Sequence, residues 1–393
     1  MTLDKKPHDV LVCGAGLVGL TAAYALAKAG NCVAICAPQS PLPDKRTTAL
    51  LNDSVNYLEQ LGIWELVAKK THPLKVMRLV DGTSRLFRIP QADFHSAEIG
   101  LDAFGYNVRN HDLHSVLLKD LQNNDMVSIV DGSLTSLDAS DPTMQVAQIT
   151  DQEGREVKLN CRFVVGADGR NSAVRSFFGN SEQTWSYPQS AIVLDFEHQF
   201  SSGFTSTEFH TETGPFTIVP QSDRRAGLVW LETPDRARAI SQMKDQELNR
   251  LLEEKMQSFL GKISVTGSIT EFPMSGLTAN RFGDQYHALI GEAAHVFPPI
   301  GAQGFNLGIR DISNLVSVLK RFTSAENRGF EYHNLRYSDV KSRTLGVDLL
   351  NRSLLSEFVP VQFLRGAGVL ALNKFAPLRL QAMKLGMSSV IPN

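Results

Sequence analysis

The residues best suited to chemistry lie in one stretch, Gly291-Glu292-Ala293-Ala294-His295-Val296-Phe297-Pro298-Pro299-Ile300-Gly301-Ala302-Gln303-Gly304-Phe305-Asn306-Leu307-Gly308. The apolar run Ala288-Leu289-Ile290 enters it and reads as a short buried strand. Two prolines and then two glycines turn the backbone sharply and leave it open. Beyond Gly304, the residues Phe305, Leu307, Ile309, Ile312, Leu315, Val316 and Leu319 recur at helical spacing. Strand, open loop and helix start therefore follow one another. Bare N–H groups at a helix start stabilise negative charge. Glycines let a flat ligand approach those groups. A reduced flavin, charged at N1 and the adjacent carbonyl, suits such a loop; an ordinary strand-to-helix turn would carry the same pattern. His295 is able either to serve a proton near such a ring or to pack as a structural side chain.

Other elements must position this loop. Asp9-Val10-Leu11-Val12-Cys13 reads as a strand, followed by Gly14-Ala15-Gly16-Leu17-Val18-Gly19 and an alanine-rich helix that stops near Gly30. Val33-Ala34-Ile35-Cys36 is the next strand. This is a βαβ unit carrying G-x-G-x-x-G, the dinucleotide fingerprint, in its required context. Gly14 makes the turn, Gly16 admits a pyrophosphate, and Gly19 with Ala23 allows close helix packing. The carboxylate that usually ends the second strand and binds a ribose is missing, because that place falls at Ala37. Arg46 precedes a helix over residues 53–61 and either reaches a phosphate or flavin or stays solvated. Phe163-Val164-Val165-Gly166-Ala167-Asp168-Gly169 is a strand ending in an acidic glycine loop, with Ser172 as an N-cap beyond it. Asp168 either faces a ligand or closes its own turn.

The remainder reads coarsely. A helix is expected around residues 107–121 and a strand meander over 127–159. Residues 185–275 look like a sheet with one helix near 245–260. The tail beyond residue 331 looks helical, broken at Pro360 and Pro377. The 393 residues suit two domains, and a net charge of -2 argues against a nucleic-acid partner. No transmembrane run or signal peptide is expected. Cys13, Cys32, Cys36 and Cys161 show no metal spacing, so they read as small core residues in a reducing, cytoplasmic setting, and no metal is expected.

Gly14 to Gly19, Gly166-Ala167-Asp168-Gly169-Arg170 and Gly291-Glu292-Ala293-Ala294-His295 occur in that order. Together they resemble the flavin-dependent aromatic hydroxylases of the para-hydroxybenzoate hydroxylase type. Arg46-Thr47-Thr48-Ala49-Leu50, Gly105-Tyr106-Asn107-Val108, Tyr187-Pro188-Gln189-Ser190-Ala191, Gly301 to Gly308 and Arg310-Asp311 are similar to segments of the ubiquinone-biosynthesis hydroxylases. The resemblance implies an α/β fold: a Rossmann-like FAD-binding domain, an inserted β-sheet substrate domain and a C-terminal helical segment. The domains would comprise 1–75, 100–184 and 276–330 for FAD, 76–99 and 185–275 for substrate, and 331–393 for the helical segment.

The resemblance also implies roles. Gly14, Gly16 and Gly19 would hold the FAD pyrophosphate, with Arg46 beside the cofactor. Asp168 and Gly169 would belong to a motif shared between FAD and the pyridine nucleotide. Glu292, where the family usually has Asp, would contact the flavin side chain. Gly301, Gln303, Gly304, Phe305 and Asn306 would run along the isoalloxazine edge, and His295 and Pro298 would stand by the reacting ring. The family's Asn-Arg-x-Leu segment reads Asn110-His111-Asp112-Leu113 here. The activity would be hydroxylation of a polyprenylated phenol using O2 and NADH or NADPH, the nicotinamide bound without a Rossmann domain of its own. A biosynthetic protein assembly, a homo-oligomer and peripheral contact with the inner membrane are further expectations. The membrane contact draws on the acid-free segment 358–393, which carries Arg365, Lys374, Arg379 and Lys384. Rival readings are a hydroxylase of a small soluble phenol, a prenyl reductase and a non-catalytic flavin-binding subunit. A halogenase is disfavoured because Trp64, Trp185 and Trp230 form no Trp-x-Trp-x-Ile-Pro segment.

Overall fold

The computed structural model describes residues 7–38, 46–83, 88, 90–141, 143–298, 303–321, 327–355 and 359–387. The chain begins with β1 (His8–Cys13), α1 (Leu17–Lys28), β2 (Val33–Ala37), β3 (Thr47–Leu51), α2 (Asn52–Leu61), α3 (Trp64–Val67), β4 (Thr71–Leu74), β5 (Val76–Asp81) and β6 (Ala92–His95). There follow β7 (Gly105–Arg109), α4 (Asn110–Leu121), β8 (Val127–Asp131), β9 (Ser133–Asp138), β10 (Gln145–Thr150), β11 (Glu156–Gly166) and α5 (Ala173–Phe177). The next part holds β12 (Glu182–His198), β13 (Thr205–Thr211), β14 (Gly214–Ser222), β15 (Arg225–Glu232), α6 (Pro234–Ser241), α7 (Asp245–Lys255) and β16 (Ile263–Ala279). The chain continues through β17 (Gly283–Asp284), β18 (His287–Leu289), β19 (His295–Val296), α8 (Gln303–Arg321), α9 (Arg328–Leu355), α10 (Val359–Lys374) and α11 (Ala376–Met387).

One sheet runs β17-β18-β11-β1-β2-β8, with β18, β11, β1, β2 and β8 parallel. Val10–Cys13 of β1, Val33–Cys36 of β2 and Phe163–Val165 of β11 are apolar because helices cover this central part of the sheet. Leu11, Val12, Ile35, Val164 and Leu289 are fully buried, as are Leu20, Leu26, Ile309 and Leu315 of the packed helices. Gly308 brings α8 close to α1, since a Cβ there would meet a Val18 methyl at 2.6 Å.

A second sheet runs β19-β16-β12-β15-β14-β13-β5-β6. One face packs Ile192, Leu194, Phe196 and Trp230 against Leu248 and Leu252 of α7. Period-two alternation turns Val193, Asp195, Val219, Gln221 and Val229 to the other face, where they are half-buried. A small sheet, β3-β7-β4, bridges the two.

One expectation needs correction. Residues 105–109 form strand β7 before α4 begins at Asn110. Tyr106 and Val108 pair there with Leu50 and Thr48, and this tertiary pairing takes priority over helical spacing. The helical tail is interrupted at Pro360 and Pro377 as expected: each is the second residue of a new helix, α10 and α11. A first-turn N–H has no helical acceptor, so proline costs nothing there. Among the described residues, no helix is long and apolar enough to cross a membrane, and no side-chain cluster suits a metal ion.

Candidate active site

Parallel pairing sets β1, β11 and β18 side by side, with Cys13 opposite Gly166 and Gly166 opposite Leu289. The loops after Cys13, Gly166 and Leu289 therefore leave one edge of the sheet together. That edge, the carboxyl ends of parallel strands, is where open α/β sheets bind ligands.

The three fingerprint glycines have distinct physical reasons. Gly14 has φ +108°, and a Cβ there would lie 2.2 Å from the Ala167 carbonyl oxygen. A Cβ on Gly19 would lie 1.9 Å from the Gly14 oxygen. The protein itself requires both. At Gly16 a Cβ would meet nothing within 4 Å, the residue is exposed, and its φ is -69°. Nothing within the chain demands glycine there. Gly16 caps α1, whose first N–H groups receive no side-chain cap. An open approach to bare helix N–H groups fits the pyrophosphate of a dinucleotide.

Asp168 closes its own turn. Its carboxylate accepts from Ser172 Oγ at 2.6 Å and from the Val174 N–H at 3.1 Å. Ser172 in turn caps α5 by accepting from the Arg175 N–H. Gly169, at φ +79°, has open space around it. Arg46 is exposed at the start of β3, and its carbonyl accepts from the Asn110 N–H at 2.9 Å. Glu292 is exposed in the short helical turn Gly291–Ala293, with no side-chain partner among the described residues.

His295 is buried, so of its two readings the packed one describes its surroundings. Its Nε2 lies 2.7 Å from Asp311 Oδ2, which also accepts the Gly291 N–H at 2.9 Å. Asp311 Oδ1 accepts from Arg336 Nε at 2.8 Å. Arg336 continues to Asp339, which also takes Arg343 Nε at 2.9 Å and lies 3.4 Å from Arg310. Burial pushes the Asp311 carboxyl up, but His295 and Arg336 outweigh it and hold it below the ordinary carboxylate range. Asp339 resists burial in the same way, held at about 2 by Arg336 and Arg343. Burial, with Arg343 nearby, lowers Arg310 to about 10. One carboxylate thus ties the Gly291 turn, the His295 strand and helices α8 and α9 together. Pro298 follows two residues after β19 and is buried.

At the start of α8, Gly304 is exposed with open space for a Cβ, and Phe305 is buried. Asn306 accepts from the Leu51 N–H at 2.9 Å and donates to the Ala49 carbonyl at 2.8 Å, so it locks the helix start to β3. Gln303 is the first residue of α8, and Gly301 lies outside the described residues.

Several contributors escaped the sequence reading. Arg175 donates to the Arg170 carbonyl at 2.8 Å and the Ala293 carbonyl at 2.9 Å, joining two of the loops. Arg336 sits in the helical tail, with no local signal to mark it. Asp131 ends β8 opposite Ala37, so the neighbouring strand supplies a carboxylate beside the place where β2 lacks one.

The fold and the three converging loops define a flavoprotein of the FAD-dependent monooxygenase class. In overall fold the chain is similar to p-nitrophenol 4-monooxygenase PnpA from Pseudomonas putida, with a TM-score of 0.80, 19% identity and coverage of 98% and 99% of the two chains. Residues 7–337 match the family model described as FAD binding domain. The chain is 31% identical to ubiquinone hydroxylase UbiL of Rhodospirillum rubrum, over 98% of this chain and 90% of that protein. It is 29% identical to 3-demethoxyubiquinol 3-hydroxylase of Escherichia coli, over 98% of this chain and 100% of that one. The chain belongs to the FAD-binding-domain family, among the ubiquinone hydroxylases.

Proposed function

We propose that this protein is an FAD-dependent hydroxylase that uses NADH or NADPH and O2 to hydroxylate a polyprenylated phenol in ubiquinone biosynthesis. The observation that carries the reading is Gly16, a glycine the chain does not need, open at an uncapped helix start. The relatives named above support the substrate class.

When bound, FAD supplies electron transfer from the nicotinamide and activation of O2. The protein binds, orients and excludes water. Gly16 and the α1 start take the pyrophosphate, while Gly14 and Gly19 shape the turn around it. Asp131 takes the ribose in place of the missing β2 carboxylate. Arg46, Glu292 and the run Gly301, Gln303, Gly304, Phe305 and Asn306 border the flavin. Asp168 and Gly169 shape the loop between FAD and the nicotinamide. His295 is a positioning residue that acts through Asp311, and Pro298 flanks the substrate side. The half-buried face of Val193, Val219 and Val229 gives an aromatic ring an apolar wall.

The C-terminal helices serve a greasy substrate by resting on an anionic membrane surface. Phe375 is 62% exposed, Leu370 and Leu378 are also exposed, and Lys374 and Lys384 lie among them. Arg379 does not contribute: it is paired with Glu98 at 2.5 Å, and this neutralises it.

The test is NADH or NADPH oxidation by the purified yellow protein with a short-chain 2-prenylphenol, with product mass measured under 18O2. A phenol-stimulated rate and one added oxygen-18 are expected. No stimulation and no oxygenated product would overturn the reading.

A further inference from the structure

Strand β12 is irregular at Tyr187-Pro188-Gln189. Ser186 pairs with Ser275 of β16 and Ser190 with Pro273, so these three residues stand opposite Met274 alone. This is a β-bulge, and Pro188, with no N–H for a ladder, is at home in one. Gly276 makes room beside it, because a Cβ there would lie 2.2 Å from the Trp185 ring. Tyr187 and Gln189 are buried, while Pro188 between them is exposed on the other side. A bulge re-aims side chains, and what these two meet is α9.

Trp185 Nε1 donates to Tyr187 Oη at 2.6 Å, and Tyr187 Oη donates to Asp348 Oδ1 at 2.9 Å. Indole only donates and an ionised carboxylate only accepts, so the direction of this relay is fixed. Gln189 Oε1 accepts from Asn351 Nδ2 at 3.0 Å, and Gln189 Nε2 donates to the Thr213 carbonyl at 2.7 Å. Asp348 and Asn351, at i and i+3, share one face of α9, and Asn351 is fully buried. Tyr187, Ala191, Leu231 and Met274 make a small apolar cluster of their own, apart from the cores of the two large sheets.

The first half of the same helix holds the other side of the site. Tyr332 donates to the Leu289 carbonyl at 3.0 Å, and Arg336 holds Asp311 and through it His295 and the Gly291 N–H. Arg336 and Asp348 stand ~18 Å apart along the helix axis. The sheet closes the circuit: Trp185 pairs with Gly276, and the next residue, Leu277, pairs with Val296 of β19. Only β16 lies between the bulge and the loop that carries His295.

We propose that α9 is a strut, and that Tyr187 with Asp348, backed by Gln189 with Asn351, is the latch that sets the distance between the substrate-bearing sheet and the 291–298 loop. This rests on the hydroxylase reading above. The four are positioning residues, acting through the sheet and the helix. Misplacing reacting groups by about 1 Å costs on the order of 100-fold in rate. With the ring misplaced, the nicotinamide is still oxidised, but O2 takes its two electrons and two protons and leaves as hydrogen peroxide. In register, one oxygen atom goes to the ring and the other leaves as water. A loosened latch therefore shows as lost coupling.

The experiment uses the FAD-loaded full chain with 2-geranylphenol and measures product, hydrogen peroxide and nicotinamide oxidised in one reaction. Tyr187→Phe removes the hydroxyl that Trp185 and Asp348 share. Product per nicotinamide oxidised should fall severalfold, hydrogen peroxide making up the difference, while the Kd for FAD stays near wild type. Asp348→Leu should match it, and the double variant should be no worse than either, as for partners in one contact. Asp348→Asn keeps an acceptor for the tyrosine and should restore coupling. Hydrogen exchange on the same FAD-loaded variants, without substrate, should be severalfold faster in α9 around Asp348 and unchanged around Arg336. Wild-type coupling in Tyr187→Phe and Asp348→Leu would make the contact mere packing and overturn the proposal. Lost coupling with unchanged exchange in α9 would overturn it too, since Tyr187 would then act without the helix. If wild type itself forms no hydroxylated product, the hydroxylase reading falls and the latch's role with it.

Discussion

His295 Nε2 stands 2.7 Å from Asp311 Oδ2, each side chain 1% exposed, and this pair anchors the loop on which the site depends. Asp311 also holds the Gly291 N–H and Arg336, so its loss frees three donors at once. Asp311→Ala leaves the buried Arg336 guanidinium without its main counter-charge. The variant should lose ~3–5 kcal/mol of stability in urea unfolding. It should also bind FAD more weakly in equilibrium titration. An unchanged unfolding midpoint would show that the network holds nothing.

Gly16→Val separates binding from folding. A Cβ at Gly16 has free space, so the variant should still fold, its melting temperature lowered by only a few degrees through the poorer N-cap. Its branched side chain fills the approach to the α1 N–H groups, so FAD should no longer copurify. Asp131→Ala should weaken FAD more mildly, by roughly tenfold, through a lost ribose hydrogen bond. A normal flavin spectrum in Gly16→Val defeats the placement of the pyrophosphate.

Gly304→Asp puts a carboxylate in the open first turn of α8. Near a reduced flavin's negative charge, at ~4 Å and an effective dielectric of about 20, repulsion amounts to ~4 kcal/mol. The two-electron potential should fall by tens of millivolts, read by dye-linked potentiometry. If the potential of a variant that still binds FAD does not move, the ring lies elsewhere.

Stability should weaken on mild acidification. Burial lowers His287 to about 4, against an unfolded value of 6.5, while its Nε2 accepts from Asn180 Nδ2 and its ring stacks on Phe178. The unfolded chain therefore binds this proton first, and stability present above pH 6.5 is lost as pH falls toward 4. The loss is on the order of 3 kcal/mol by pH 4. His287→Gln should flatten the dependence of the melting temperature on pH between 6.5 and 4. An equally steep profile in the variant would assign the effect to other groups.

Vesicle binding should depend on the C-terminal helices. Lys374→Glu with Phe375→Ser should reduce co-sedimentation with anionic vesicles at low salt, since each base contributes ~1 kcal/mol there. Arg379→Gln should instead loosen the packing of α11 on the 96–99 turn, because Arg379 is spent on Glu98. Equal vesicle binding by wild type and the double variant would make the exposed Phe375 surface a contact for something else.

The local code of this chain is strong where backbone sterics speak alone. Gly14, Gly16 and Gly19 announced the turn after β1, and the strand–helix–strand order announced a βαβ unit, whose β1 and β2 pair in parallel. Ser172 was legible as a cap because capping acts over three residues. The α8 helix was legible from helical spacing. Sequence could not say that Asp168 spends its carboxylate on its own turn, or that His295 faces Asp311 rather than open space. Nor could it pair Asp131 with Ala37, Arg336 with Asp311, or Gln221 with Thr47, which is 174 residues away. Propensity and spacing act within a few residues, whereas a buried charge or amide is satisfied by whichever distant group the folded layers bring within about 3 Å. Those long-range partners exist only once the sheets have packed.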